Sequence, residues 1–159
     1  VCVPTNTVSP SFACATYRRS TNYIRIPTTV IGLIDASVSI KVAVNYGRYK
    51  NRLGAYHAPS RTFLDFSFLR TLPVAQIRNG FAELIKISSC ADADTFGLLD
   101  RHCEDLINGA FGRAKDGVSE EVRRAADVIC RAGIYEMLKL ETPNLHEIML
   151  DRVIAYGHT

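Results

Sequence analysis

At Pro73 the chain changes period, and that change limits what it can fold into. Beyond it, Val74, Ile77, Phe81, Leu84 and Ile85 fall within about 100° of one another on a helical wheel, as in a helix that buries one face. Three more helical stretches are predicted near 92–108, 119–141 and 147–159, with the glycine-bearing stretch Gly109 to Gly117 as a loop. Before Pro73 the signals are those of strands and turns. Tyr23 to Ile26 alternates and stops at Pro27, and Arg61 to Phe66 reads as a second strand. Thr28 and Thr29 can cap a short helix over Val30 to Ile34. Val1 to Ser11 shows no period and is predicted to be irregular; Ala36 to Gly54 is mixed, with Asn45, Gly47, Asn51 and Gly54 marking turns. The expected fold is an α/β front part over 1–70 and an all-α part over 71–159.

Composition excludes several classes. With 47% hydrophobic and 22% charged residues in 159, the chain suits one ordinary core. A net charge of +3 without a basic run or interleaved aromatics gives no footprint for nucleic acid. No apolar run is long enough for a membrane span, and Val1 to Thr16 lacks the layout of a signal peptide. Cys2, Cys14, Cys90, Cys103 and Cys130 are odd in number and form no Cys-x-x-Cys pair. Reduced thiols in a cytoplasmic protein are the expectation, rather than a disulfide frame or a Cys-based zinc site.

The predicted helix after Pro73 has a second face, where Asn79, Glu83, Lys86 and Cys90 line up. It reads either as a solvated face with a Glu–Lys pair or as a carboxylate ligand with a cationic neighbour facing a cleft. His158, in Gly157-His158-Thr159, is either a surface histidine or a ligand. Together, a carboxylate and an imidazole on separate helices are two of the three protein ligands that a catalytic zinc takes. Lys41, Arg48, Lys50 and Arg52 crowd one segment, which reads as a flexible surface loop or as an anion site; Arg18-Arg19 has the same two readings. Asp35 either caps a turn or binds a substrate or ribose hydroxyl.

The order of these motifs is more specific than any one of them. Tyr17-Arg18-Arg19, Ile26-Pro27-Thr28-Thr29, Ile34-Asp35-Ala36-Ser37-Val38-Ser39-Ile40-Lys41, Lys50-Asn51, Asn79-Gly80-Phe81-Ala82-Glu83-Leu84-Ile85-Lys86 and Gly157-His158-Thr159 follow in succession. That succession resembles the sugar phosphate cyclases, the superfamily of dehydroquinate synthase, over about residues 12–159. Within it the wording Ile34 to Asn45 and Leu53-Gly54-Ala55-Tyr56-His57 is most similar to the desmethyl-4-deoxygadusol synthases, with epi-valiolone synthases as the alternative. Dehydroquinate synthases carry an Arg and an Asn for the substrate carboxylate where this chain has Asp151 and Ala155. An acidic and an apolar residue there suit a substrate without a carboxylate, such as sedoheptulose 7-phosphate.

The resemblance implies that 1–70 ends a nucleotide-binding α/β domain and 71–159 begins a helical metal-binding domain. It implies NAD and zinc, or cobalt in its place, as cofactors, a sugar phosphate as substrate, and a homodimer as the intact enzyme. Glu83 and His158 match two metal ligands, and Arg19 and Asn51 match phosphate-binding positions. Thr28, Thr29 and Asp35 match positions near the nicotinamide and substrate hydroxyls, and Lys41, Lys50 and Lys86 match active-site lysines. Two places depart from the family: Ser20 stands where it has glycine, and Val3-Pro4 where it has a Gly-Gly turn. The missing third ligand and dinucleotide turn lead to the expectation of an internal piece of a larger enzyme. By itself such a piece is expected to be inactive, or an interaction module, and to melt with weak cooperativity.

Overall fold

The computed structural model describes residues 8–157, and its core sits where the front of the chain meets the helices. The front holds α1 (Val8–Thr16), β1 (Ile24–Arg25), β2 (Lys41–Tyr46), β3 (Tyr49–Tyr56) and β4 (Arg61–Thr62). The back holds α2 (Val74–Ala91), α3 (Ala93–Arg101), α4 (Cys103–Asn108) and α5 (Glu120–Glu141). Val30, Leu33 and Ile34 pack in one cluster with Ile77, Phe81, Leu84, Ile129 and Met137. Burying a side chain of that size contributes about 1.5–3 kcal/mol, so this cluster carries much of the stability.

The short helix expected at Val30 to Ile34 is present as a tight helical stretch whose Gly32–Ala36 part is a π turn. Thr29 caps it, its Oγ1 accepting from Gly32 N at 3.0 Å. Two glycines permit close packing here, Gly80 between α2 and this turn and Gly133 between α5 and α2. A Cβ on Gly80 of α2 would lie 2.3 Å from Val30 Cβ and 2.9 Å from Ile31 N, and one on Gly133 of α5 would lie 2.7 Å from Leu84 Cδ2.

Helices α2 and α5 run as the period indicates, with Ser119 accepting from Val122 N at the start of α5. The buried stripe of α2 is turned from the expected one: Ile77, Gly80, Phe81, Leu84, Ile87 and Ser88 are buried, while Val74 and Ile85 are 44% and 40% exposed.

Five local expectations need correction. Part of the segment predicted to be irregular is helix α1, in which Pro10 sits in the first turn, where a missing N–H costs nothing; residues 1–7 lie outside the described ones. The mixed stretch after Ala36 contains an antiparallel hairpin, with Lys41 opposite Tyr56 and Tyr46 opposite Tyr49. Its Tyr46-Gly47-Arg48-Tyr49 turn places Gly47 at a φ of 58°, a left-handed conformation glycine adopts without cost. Of the strand predicted over Arg61 to Phe66, only Arg61–Thr62 pairs, in parallel with β1, and Phe66–Thr71 is a 3-10 turn capped by Asp65. The helix predicted over 92–108 breaks at His102, whose ψ of 16° ends α3.

The helix predicted over 147–159 does not form among the described residues, where only Val153–Ala155 makes a 3-10 turn. Asn144 holds the chain out of a helix: its Nδ2 donates to Met149 O at 2.7 Å and its Oδ1 accepts from Met149 N at 3.2 Å. Side-chain bonds of this kind offer the backbone an alternative to the helical ladder.

Candidate active site

Asp35 ends the buried turn, and three other elements bring charge to it. Arg25, 4% exposed on β1, ties down the loop that follows. Its guanidinium donates to Ala36 O, to Ser39 O at 2.8 Å and to the Tyr23 hydroxyl at 2.8 Å. Glu83 and Lys86 reach the same region from α2, and Lys41 from the start of β2. Burial, and then the negative charges of Glu83 and Glu141, raise the Asp35 carboxyl to about 6, against a smaller opposing pull from Lys41 and Lys86.

The middle of the polar face of α2 is shielded from solvent. Glu83 and Lys86 side chains are each 15% exposed, and Lys86 Nζ lies 2.5 Å from Glu83 Oε1. That oxygen is buried, and among the described residues its one polar contact is this ion pair. A shielded carboxylate oxygen held only by an ion-pair contact is a donor that a metal ion takes. Its expected co-ligand, His158, lies outside the described residues. Among the described residues no group of three His, Cys, Asp or Glu side chains could hold a metal. Asn79, on the same face, is exposed, and Cys90 packs its sulfur 3.8 Å from Val153 O.

Lys41 is held on the far side of the cluster. Its Nζ donates to Glu141 at 2.9 Å and to Glu147 at 3.0 Å, and Arg152 donates to Glu147 as well. Glu141 ends α5, and Glu147 sits in the non-helical strap with a φ of 52°. The sequence motifs did not single out Glu141, Glu147, Arg152 or Arg25. Only a buried arginine among apolar neighbours at Ile24 and Ile26 could have flagged one of them.

The remaining expected residues lie away from this cluster or beside it. Thr29 Oγ1 is taken up by its cap, so its hydroxyl proton is what it can offer a cofactor amide. Thr28 precedes it and is half-buried. Lys50 and Asn51 are exposed near the turn of the hairpin. Asn51 is five residues along β3 from Tyr56, the partner of Lys41, a separation of roughly 16 Å. Asn51 N donates to Asn45 Oδ1, and its φ is 54°. Arg19 is exposed at the end of a short turn, with a φ of 75°.

A buried carboxyl on a tight turn, a Glu–Lys pair on the helix packed against it and a clamped lysine on the next strand make up the candidate site, within a dehydroquinate synthase-like fold. Over most of its length the chain is similar to the sugar phosphate cyclases. The family model for the 3-dehydroquinate synthase N-terminal region matches residues 7–79. Demethyl-4-deoxygadusol synthase from Trichormus variabilis is 60% identical over 148 residues, 93% of this chain and 36% of that protein. A 2-epi-5-epi-valiolone synthase from Actinomyces sp. is 45% identical over 92% of this chain and 38% of its own length. The solved 2-epi-5-epi-valiolone synthase of Streptomyces hygroscopicus subsp. jinggangensis 5008, with NAD+ and Zn2+ bound, superposes with a TM-score of 0.84. It is 40% identical, and the match covers 94% of this chain and 39% of that one. The chain thus spans somewhat over a third of the length of the relatives it matches. No helix among the described residues is long and apolar enough to cross a membrane.

Proposed function

We propose that these residues belong to an NAD- and zinc-dependent cyclase that converts sedoheptulose 7-phosphate to a carbocycle with loss of phosphate. The observation that carries this reading is that Lys41, Glu83 and Lys86, drawn from separate motifs, all lie close enough to the buried Asp35 to act on its charge. The 60% identity to a demethyl-4-deoxygadusol synthase supports that product class, and Asp151 and Ala155 suit a substrate without a carboxylate.

In this reading Glu83 and His158 are two of the metal ligands, with zinc or cobalt as the ion, and Thr28, Thr29 and Asp35 border the nicotinamide. When bound, the two groups supply Lewis acidity and reversible hydride acceptance. The protein's own side chains do the rest. Lys86 holds Glu83 in place and screens its charge. Asp35, raised to about 6, can take a proton from a substrate hydroxyl and return it near neutral pH. Lys41 offers an N–H to an oxygen that gains negative charge, in a site where poor hydration makes that bond worth more than in water. Arg19 and Asn51 bind the phosphate, and Lys50 is a further active-site lysine.

Residues 1–70 close the nucleotide-binding part and residues 71–159 open the metal-binding part. The intact enzyme is a cytoplasmic homodimer acting on a small sugar phosphate. The test is turnover by an intact polypeptide containing this sequence, supplied with sedoheptulose 7-phosphate, NAD and zinc. Release of inorganic phosphate with a carbocyclic product is expected. Turnover of only the dehydroquinate precursor would show the substrate assignment to be wrong. A 2-epi-5-epi-valiolone product would favour the second reading, which the 45% identity to such a synthase supports.

A further inference from the structure

We propose that Glu141 is a positioning residue: with Glu147 it forms a two-carboxylate clamp that fixes the Lys41 ammonium and leaves one N–H for an anionic substrate oxygen. The inference rests on the reading of Lys41 as a site lysine, and its test does not depend on which substrate is used.

Four observations carry it. Glu141 is the last residue of α5, where the helix already presents the partial negative charge of its free carbonyls. A carboxylate is disfavoured there, and at 10% exposure water does little to stabilise it. The compensating group is Lys41, 2.9 Å away and 100 residues distant in sequence. Glu147, the second jaw, occupies a left-handed backbone conformation that a glutamate rarely adopts, and Arg152 donates to the same oxygen that Lys41 uses.

Charge and stoichiometry then define what the clamp does. Two carboxylates face two cations, so the unit is neutral and has no excess charge to drive Lys41 elsewhere. An ammonium has three N–H donors. Two are committed to the clamp, and the side chain is 37% exposed, so the third can reach a ligand. A lysine on a flexible stem becomes a donor with a fixed origin, which is what a reacting anion requires.

The experiment measures Lys41 itself. The chain is treated at a fixed pH with a trace of acetic anhydride, and acetylation at Lys41 is read by peptide mass spectrometry against exposed Lys50. In Glu141→Gln the Lys41-to-Lys50 ratio is expected to rise several-fold, with Lys86 labelling unchanged. In Glu120→Gln, which removes a carboxylate paired with Arg124, the ratio should stay at the parent value. A ratio that does not move in Glu141→Gln overturns the proposal. So does a parallel rise at Lys41 and Lys86, which would mark general loosening. If Glu141→Gln weakens the fold, a cycle of Lys41→Met, Glu141→Gln and the double variant decides by urea midpoints. Non-additive shifts support the clamp, and strictly additive shifts overturn it.

Discussion

The turn over residues 30–36 and the β2–β3 hairpin are close in sequence and both carry residues of the proposed site, yet they are held in opposite ways. Val30, Leu33 and Ile34 are fully buried, and α2 approaches so closely that only glycine fits at position 80. The hairpin shows most of β3 to solvent, with Tyr49 and Leu53 about half exposed and Tyr46 66% exposed. Asp35 is therefore placed relative to Glu83 by core packing, which tolerates little displacement. Lys50 and Asn51 sit where the hairpin's register shifts, Asn51 held through its N–H by Asn45 Oδ1, and both residues are exposed. One region orients reacting groups; the other presents binding groups that a ligand or a further surface must order.

The largest expected effect is at the packed end. In the metal-loaded intact protein, Glu83→Gln should lower metal affinity by at least about 100-fold, since losing a direct ligand exceeds the loss of a supporting contact. Metal content after dialysis reads this, and full retention would break the assignment of the packed region as the metal side.

Asp35 gives a pH test of the same region. Its carboxyl is ordinarily near 3.8 and is raised to about 6 in the fold, so between those values the folded chain binds more protons than the unfolded one. Stability of the metal-free chain should therefore fall as pH rises from about 4 to 6, and stay lower above. The two-unit shift corresponds to about 3 kcal/mol at most. Asp35→Asn should flatten that part of the profile in urea titrations done with chelator. An unchanged slope would mean that another group carries it.

Gly80→Ala comes next. The added Cβ meets the Val30 side chain and the Ile31 amide, so a loss of about 1–3 kcal/mol is expected by chemical denaturation. Gly97 on α3 sharpens the point, because a Cβ there meets nothing within 4 Å. Gly97→Ala should stabilise by about 0.5–1 kcal/mol through helix propensity. Equal effects at the two glycines would remove close packing as the reason for Gly80. The smallest change belongs to the hairpin, where Leu53→Ser should shift stability by less than about 0.5 kcal/mol.

The reach of sequence reasoning follows the same division. Helices α2 and α5 were legible because a strong period over 18 and 22 residues reflects burial of one face. The Glu83–Lys86 pair was legible because residues three apart on a helix are neighbours whatever surrounds them. The hairpin was missed because its polar, exposed β3 has no buried face to impose alternation, leaving only the Gly47 turn as a signal. The strap after Asn144 was misread as helix because a few side-chain bonds there outweigh a weak local preference.

Sequence by itself determined the resemblance to a family, through the order of short motifs, and the existence of the long helices α2 and α5, because both properties are local in the chain. Tertiary structure decided which charges meet. Lys41 with Glu141 and Glu147, Arg25 with the loop after Asp35, and the burial of Glu83 all depend on segments tens of residues apart being pressed together. No local pattern encodes such a meeting, since it is enforced by the apolar cluster around Val30, Leu33 and Ile34 and by the absent Cβ of Gly80.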